Sequence, residues 1–265
     1  MNVETAIAEP VLLTRQHDGV AWLTLNRPAA RNALSVTLMM ALDAALVAAG
    51  ADPAVHVVVI AAAGPAFCAG HDLREMRANP GRAAVEALFT QCSELMLRIV
   101  RLNKPVIACV HGIATAAGCQ LVASCDLAVA SEAARFATPG VNLGLFCSTP
   151  MVALSRAVGR KPAMEMLLTG DAIDAARARE FGLVNRVVPA AELDAATAAL
   201  AGQIASKSPL VLAIGKQAFY RQAEMELDAA YRYAAEVMTR NMLARDATEG
   251  IDAFLGKRTP HWTGC

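Results

Sequence analysis

Two short segments place small residues and a histidine where a strand is expected to give way to a helix. They are residues 66–73, Ala-Phe-Cys-Ala-Gly-His-Asp-Leu, and residues 110–120, which begin Val-His-Gly. Each follows an apolar run typical of a buried parallel strand, which predicts that both lie at the carboxyl edge of a sheet, where ligands bind. The first amides of a helix lack partners within the helix and carry the positive end of its dipole. The second segment, which opens a helix, is therefore suited to hold an oxygen that bears partial negative charge.

Four side chains are candidates for proton transfer or nucleophilic attack. His71 titrates near neutral pH, so it is either an acid–base group or a ring packed away behind its own backbone. His111, at a strand end, is interpreted as structural. Cys147 and Ser148 have no base beside them in the sequence, which favours pocket lining over a nucleophile. No group of His, Cys and Asp has metal-site spacing, so no metal is expected.

Strands and helices alternate through the first part of the chain. An Asp-Gly pair at 18–19 predicts a hairpin turn, and Ser35 is a candidate N-cap of a helix. Further strands are predicted at 55–61, 106–110, 127–130, 135–137 and 186–188, and helices at 35–49, 85–102, from 115, and at 227–245. This order favours right-handed βαβ crossovers. We predict an α/β domain over residues 1–200 and a helical part over 201–265.

Composition excludes several classes of protein. Of the 265 residues, 55% are hydrophobic and 18% are charged, so the chain can bury a large core and disorder is not expected. Lys plus Arg and Asp plus Glu both number 24, and this zero net charge gives no reason to bind nucleic acid or an anionic membrane. Low net charge combined with high apolarity instead favours self-association.

The compartment is predicted from the cysteines and from the start of the chain. None of the seven cysteines lies in a CxxC pair, and Cys109, Cys119 and Cys125 lie among apolar residues. The first ten residues show no basic region followed by an apolar run, and no apolar stretch reaches the roughly 20 residues of a membrane span. These features predict a reducing, cytoplasmic location.

Short motifs along nearly the whole chain resemble the enoyl-CoA hydratase/isomerase (crotonase) superfamily. Beside the two segments above, they lie at 26–28, 104–108, 118–121, 124–127, 136–139 and 249–251. The resemblance implies a crotonase-like (ClpP/crotonase) α/β spiral of ββα units with a helical C-terminal region. It also implies trimers, often paired into hexamers, and an acyl-CoA thioester as ligand, with no cofactor beyond the CoA moiety.

The resemblance also assigns residues to the site. The backbone N–H groups of His71 and Ala117 match the two donors of an oxyanion hole around the thioester carbonyl, where one donor contributes about 3 kcal/mol to lowering the barrier. The substrate- and CoA-binding candidates are Arg27, Ala69, Asp72, Leu73, Arg74, Phe254 and Lys257. Of these, Asp72 is also expected to cap or brace its loop. Phe146, Cys147 and Ser148 match a pocket wall.

The chain departs from the family at the two positions where hydratases keep catalytic glutamates. Gln120 occupies the first and Gly140 the second. Because neither residue exchanges a proton at neutral pH, ordinary two-glutamate hydration is not expected. In this the chain resembles the enoyl-CoA hydratase domain-containing proteins that lack the acidic pair.

Three functions remain open at this point. The chain is an enzyme acting on an enoyl-CoA with an unusual proton donor, a decarboxylase or thioesterase that uses the oxyanion hole alone, or a non-catalytic acyl-CoA binder. The His-Asp-Leu sequence at 71–73 also resembles methylmalonyl-CoA decarboxylases, in which loss of CO2 creates the enolate without proton abstraction.

Overall fold

A computed structural model describes residues 9–265, so most of the first ten residues, on which the expectation of no secretory signal rests, lie outside it. Within this range the strands are β1 (Leu12–His17), β2 (Val20–Leu25), β3 (Val57–Ala62), β4 (Ala66–Cys68), β5 (Val106–Val110), β6 (Ile113–Thr115), β7 (Leu127–Ser131), β8 (Arg135–Ala137), β9 (Ile173–Asp174) and β10 (Arg186–Val188).

The helices alternate with these strands and are numbered in chain order. They are α1 (Val36–Ala51), α2 (Leu73–Ala78), α3 (Arg82–Arg101), α4 (Ala117–Ser124), α5 (Ser148–Ala157), α6 (Arg160–Thr169), α7 (Ala175–Phe181), α8 (Leu193–Ala205), α9 (Pro209–Gln222), α10 (Leu227–Met242) and α11 (Arg245–Leu255). Short 3-10 helices cover Pro28–Ala30, Pro139–Leu143 and Ala190–Glu192.

Three successive ββα turns build two sheets. The first strands of these turns, β3, β5 and β7, lie in a sheet of order β1-β2-β3-β5-β7-β10. The second strands, β4, β6 and β8, lie in a sheet of order β4-β6-β8-β9. Within both sets the strands run parallel. The chain therefore winds as a spiral, and the carboxyl ends of β4, β6 and β8 meet at one edge.

The main core lies between the two sheets and the helices α1, α3 and α4, with Leu42, Phe67 and Phe136 among its fully buried side chains. On the other face of the larger sheet, Leu193 and Leu200 of α8 form a second cluster. Burial of such apolar surface is the main force that holds the layers together. Because α8 runs to Ala205, the predicted boundary at residue 200 falls inside a helix, and the division into two parts stays a prediction.

A buried lysine joins α9 to earlier parts of the chain. Lys216 Nζ, on α9, donates to Asp126 Oδ2 at 2.7 Å, to Ile99 O at 2.8 Å and to Lys104 O at 2.9 Å. Tyr220, one turn later, donates to Asp126 Oδ1 at 2.9 Å. A buried charge is tolerated only when it is paired and hydrogen-bonded in this way.

Two short strands were not expected from the sequence. Ala66–Cys68, where no strand was predicted, forms β4, and Ile113–Thr115 forms β6, so that the helix expected from about residue 115 begins at Ala117. A strand of three residues is too short to show a period, and pairing with neighbouring strands decides its conformation. Among the described residues no single helix is long and apolar enough to cross a membrane. One pair of helical segments, 190–205 and 209–222, has the necessary length and apolarity only when taken together, and the pair is bent by 101°.

Candidate active site

The smaller sheet brings the two segments predicted from the sequence to one edge. β4 and β6 are parallel neighbours, with Ala66 opposite Ile113 and Cys68 opposite Ala114. β6 and β8 are also parallel, with Thr115 opposite Ala137. The chain therefore leaves all three strands on the same side, and the residues that follow them lie side by side.

His71 lies directly beyond β4, beside the start of α4. Gly70 adopts φ +89°, and a Cβ added to it would lie 3.0 Å from Ala116 Cβ and 3.5 Å from Ala117 N. Only glycine combines this φ with such a close approach. The residues flanking His71 bond to Leu34, which donates to Gly70 O at 2.7 Å and accepts from Asp72 N at 3.2 Å. In extended backbone the N–H and C=O groups of successive residues point to opposite sides. The N–H of His71 therefore faces away from Leu34.

Ala117 follows a strained residue. Ala116 has φ 49° and ψ −117°, a conformation that costs a non-glycine residue about 1–3 kcal/mol. Its N–H donates to Ala137 O at 2.9 Å, and its carbonyl accepts from Gln120 N at 3.0 Å. Ala117 begins α4, and neither its N–H nor that of His71 has an acceptor within residues 9–265. The two amides have the neighbouring, unpartnered placement that the sequence predicted, and their role as oxyanion donors stays a prediction.

A glycine sets how closely α4 approaches β4. A Cβ added to Gly118 would lie 2.1 Å from Cys68 O and 2.8 Å from Cys68 Cβ. Real Cβ atoms do not come so close, so any other residue would push the helix off the strand. Gly118 thereby keeps the start of α4 against the end of β4.

The loop before α1 braces the His71 segment. Arg27 donates through Nη1 to Ala33 O and through Nη2 to Asp72 Oδ2, the latter at 3.0 Å. Asp72 is the N-cap of α2, as expected, because its Oδ1 accepts from Arg74 N at 3.1 Å and from Glu75 N at 3.3 Å. Both residues were predicted to bind CoA, but here the two side chains bond to each other and to the surrounding backbone.

The His71 ring packs into the protein. It makes an edge-on contact with Phe89 of α3, with 5.3 Å between ring centroids, and its buried Nε2 has no partner among the described residues. Burial lowers the pKa of His71 to about 4, because removal from water disfavours the charged ring. The ring is therefore neutral at neutral pH, which rules it out as an imidazolium proton donor there.

At the two positions where hydratases keep glutamates, Gln120 is buried and Gly140 is closely packed. Gln120 is 4% exposed, and its Oε1 has no hydrogen-bond partner in the described part of the chain. A Cβ added to Gly140 would lie 2.8 Å from both Cys147 Sγ and Leu145 O. The loop after the 3-10 helix therefore fills the space that a side chain at residue 140 would need.

Thr138 is a buried polar residue at this edge that no sequence motif predicted by itself. This residue directly follows β8, is 1% exposed, and its Oγ1 has no partner among residues 9–265. Because Ala116 N bonds to Ala137 O, Thr138 lies next to the Ala116–Ala117 step. Its motif was noted only as part of the resemblance, and a hydroxyl beside a proline gives no signal of its own.

The three predicted pocket residues differ in exposure. Cys147 is buried, and although a hydrogen bond from the Gly140 backbone opposes it, desolvation raises the pKa of its thiol. A protonated thiol is a poor nucleophile. Ser148 is exposed and donates to Phe146 O at 3.4 Å, while the Phe146 ring is itself exposed. None of the three has a base paired with it among the described contacts.

The remaining CoA-binding candidates lie in two places. Leu73 and Arg74 are exposed in the first turn of α2, and Ala69 N donates to Arg31 O at 3.0 Å, which fixes the chain just before Gly70. Phe254, on α11, is 83% exposed, and Lys257 follows that helix with a positive φ of 51°. Their approach to a bound CoA stays a prediction.

Two surface clefts lie apart from the His71 edge. One, of about 270 Å³, is lined by His111, Cys109, Asp194 and alanines, and the other, of about 610 Å³, is lined mainly by charged residues of β8, β9 and α7. His111 Nε2 lies 2.8 Å from Gly64 O, and Ser131 Oγ donates to His111 O at 2.8 Å, which fits a structural histidine. Within the described residues no three His, Cys, Asp or Glu side chains converge as metal ligands.

The sequence matches the enoyl-CoA hydratase/isomerase family over residues 15–265. The chain belongs to this family. Human mitochondrial enoyl-CoA hydratase domain-containing protein 3 is 48% identical over 249 residues, which cover 94% of this chain and 82% of the human protein. The 2,3-dehydroadipyl-CoA hydratase of Escherichia coli K12 is 39% identical over 254 residues, or 96% of this chain and 98% of that one.

Solved structures of the family confirm the crotonase-like fold class. The crystal structure of an enoyl-CoA hydratase from Mycobacterium smegmatis superimposes with a TM-score of 0.93 at 55% identity, covering 96% of this chain and 99% of the other. The structure of the human domain-containing protein also gives 0.93, with 95% and 100% covered. These relatives confirm the predicted domain-containing subfamily and a general activity on CoA thioesters.

The predicted cytoplasmic location is wrong, because relatives of the chain are named as mitochondrial proteins. Relatives from human, rat, mouse and zebrafish, at 47–48% identity over almost the whole chain, are all named as mitochondrial proteins. The composition and reduced cysteines of a folded domain do not encode an organelle, because a separate targeting segment carries that address.

Proposed function

We propose that this member of the family binds an acyl-CoA thioester with the carbonyl oxygen between the N–H groups of His71 and Ala117. The observation that carries the proposal is the pair of unpartnered amides at adjacent strand ends. Strain at Ala116, directly before one donor, supports it, because such strain persists where function uses the geometry. When the thioester becomes enolate-like, both donors meet the growing negative charge without having to reorganise.

Ordinary hydration by two glutamates is not part of the proposal. Gln120 can orient a water or the thioester but cannot remove its proton, and residue 140 has no side chain. His71 remains a neutral ring at physiological pH and is at most a weak base. The activity is therefore expected to rely on the backbone donors, with stabilisation of the enolate as its main contribution.

The CoA moiety is proposed to lie along the exposed first turn of α2, beside Leu73 and Arg74, with no other cofactor. Arg74 is free of the ion pairs described for this chain and is exposed at that turn, which suits a phosphate group. We propose that Arg27 and Asp72 act indirectly, by holding the His71 segment. Phe254 and Lys257 would cover the CoA from the same or a neighbouring subunit.

A trimer, or a hexamer formed by two trimers, is proposed for the assembly. Helices α10 and α11 and the turn between them leave large apolar side chains in water: Leu227 is 70% exposed, Tyr231 72%, Leu243 81%, Phe254 83% and Leu255 73%. So many exposed apolar side chains in one segment of the chain favour an interface. Sedimentation should therefore show an oligomer at micromolar concentration, and a stable monomer would contradict the proposal.

Infrared difference spectroscopy tests the proposed donors without relying on turnover. Butyryl-CoA labelled with 13C at the thioester carbonyl should bind, and its carbonyl stretch should shift to lower frequency because two hydrogen bonds polarise the C=O bond. Binding without a shift would remove the oxyanion assignment. If calorimetry detects no binding of butyryl-CoA, the proposed acyl-CoA function is wrong. Turnover of crotonyl-CoA and methylmalonyl-CoA in parallel separates hydration, decarboxylation and simple binding.

A further inference from the structure

Asn32 is a fully buried asparagine in the loop before α1, and its side chain joins three backbone groups. Its Oδ1 accepts from Arg27 N at 2.7 Å, and its Nδ2 donates to Ala63 O and to Ala66 O, both at 2.8 Å. An asparagine amide has two hydrogens to donate, so both are used here. Ala66 is the first residue of β4, the strand that leads to His71. One side chain therefore ties this loop to the start of that strand.

The backbone of the loop turns sharply at the same residue. Asn32 has a φ of 53° and follows Arg31, whose φ is 50°, so two successive residues other than glycine are left-handed. Asparagine adopts this region more readily than most residues that have a side chain. Asn32 N also donates to Arg27 O at 2.9 Å. The bonds of the side chain and of the backbone thus hold one turn, which brings residues 31–34 beside residues 69–72.

The segment that Asn32 holds is bonded to the segment that carries His71. Arg31 O accepts from Ala69 N at 3.0 Å. Leu34 N donates at 2.7 Å to the carbonyl of the residue before His71, and Leu34 O accepts at 3.2 Å from the N–H of the residue after it. Leu34 and His71 accordingly form a parallel β-bridge. Because these bonds fix the chain on both sides of His71, they also fix the direction of its N–H.

The loop packs directly on the turn before β4. Gly64 lies between the two acceptors of Asn32, has a φ of +80°, and would place an added Cβ 2.4 Å from Pro28 Cβ. Only glycine combines this φ with such a close approach. A displacement of the loop therefore displaces the start of β4 as well, because the two backbones are already in contact.

We propose that Asn32 is a positioning residue that holds the His71 N–H at the thioester carbonyl oxygen. This inference deepens the proposed acyl-CoA function and rests on it. Asn32 is shielded from solvent and from a ligand, so it acts through the backbone groups to which it bonds. The other donor, Ala117, follows a residue that bonds to Ala137 O of β8 instead. Loss of the Asn32 side chain should therefore weaken one donor and leave the other in place.

Infrared spectra of bound 13C-labelled butyryl-CoA compare three variants with wild type. Asn32→Gly allows the left-handed φ and removes all three side-chain bonds, and it should lower the carbonyl shift to about half, because one of two donors is lost. Asn32→Asp keeps an acceptor for Arg27 N, removes at least one of the donated bonds, and should also lower the shift. Asn185→Ala is the matched control: the Asn185 Oδ1 accepts from Ala128 N at 2.8 Å on β7, and its loss should leave the shift unchanged.

Circular dichroism and calorimetry accompany the spectra, so that folding, binding and polarisation are measured separately. A folded Asn32→Gly protein that keeps the full carbonyl shift, or that binds no butyryl-CoA at all, would overturn the inference. An equal loss of shift in Asn185→Ala would do the same, because it would indicate general loosening. If neither Asn32 variant folds, the residue serves the whole fold rather than the donor, and the inference fails. Absence of butyryl-CoA binding to wild type is a different result, since it removes the proposed function itself.

Discussion

Arg27 Nη2 lies 3.0 Å from Asp72 Oδ2, and this ion pair joins the loop after β2 to the segment that carries His71. Both side chains are largely shielded from water, with 23% and 16% of their surfaces exposed. Burial by itself raises the pKa of the Asp72 carboxyl, but hydrogen bonds from Arg27 and from the first amides of α2 lower it overall. The pair is therefore ionised at neutral pH and fixes the residue that precedes α2.

Replacing Arg27 with methionine should loosen the His71 segment. The variant leaves the Asp72 carboxylate without its charged partner, which is expected to lower the free energy of unfolding by about 1–3 kcal/mol. The 13C carbonyl shift of bound butyryl-CoA should also decrease, because one donor is no longer held. Arg82→Met is the control: its pair with Glu86 is exposed, and its loss should change stability by less than about 1 kcal/mol. An Arg27→Met protein with an unchanged carbonyl shift would show that the pair does not position His71.

His71 should make stability depend on pH in one direction. Its pKa is lowered to about 4 in the folded protein from 6.5, so between these values the unfolded chain binds a proton that the folded protein does not. Stability from this group is fully present above about pH 6.5 and is lost as pH falls towards 4, by about 2–3 kcal/mol. Urea unfolding of wild type and His71→Phe at pH 7.5 and 4.5 measures this pH dependence. The variant should lose less unfolding free energy between the two pH values than wild type does. The exposed His17, replaced by glutamine, is the control. Equal losses in His71→Phe and wild type would refute the assignment.

Gly140 should not tolerate a side chain. A Cβ there meets Leu145 O and Cys147 Sγ at 2.8 Å, so Gly140→Ala is expected to lower the unfolding free energy by about 1–3 kcal/mol. Gly81→Ala has no atom within 4 Å of the added Cβ and should be close to neutral. Thermal unfolding of the two variants side by side provides the comparison. A fully stable Gly140→Ala protein would show that the loop yields easily, and a glutamate could then be tested at that position.

Gln120→Glu is the direct test of the missing acid. Wild type should hydrate crotonyl-CoA negligibly, because a placed acid–base group usually contributes about 10²–10⁴-fold to such a reaction. The variant restores one carboxyl group in the first turn of α4 and should raise the rate measurably, provided that its circular dichroism shows a folded protein. Gln120→Met, which fills similar space without a carboxyl, should stay inactive. Wild-type turnover at rates ordinary for hydratases would mean that other residues perform the proton transfers.

Lys216→Met should be strongly destabilising. The substitution leaves the half-buried Asp126 without its cation, and breaking a fully buried pair in this way typically costs about 3–5 kcal/mol. Adding Asp126→Asn removes the uncompensated charge and should recover part of that loss in chemical denaturation. If the single variant is as stable as wild type, α9 is held to the core by apolar packing alone.

Much of the fold could be read from patterns. The Asp-Gly turn between β1 and β2 and the Ser35 cap of α1 follow from local chemistry, and the buried strands β3, β5 and β7 follow from continuous apolar runs. The pairing of the 66–73 and 110–120 segments followed from the rule that parallel strands share a carboxyl edge. By contrast, β4 and β6 have three residues each and were missed, because their conformation is set by neighbouring strands.

By itself the sequence determined which groups are present at the site. It placed two backbone donors after strand ends and put Gln120 and Gly140 where acids would otherwise act, since residue identity decides what can exchange a proton. Only the tertiary structure decided the state of those groups. The neutral ring of His71 depends on burial against Phe89 of a later helix, and the strained backbone of Ala116 depends on its bonds to β8. Only the fold shows that Thr138 is buried next to the Ala116–Ala117 step. Burial and partnership are set by residues distant in the chain, so no local pattern records them.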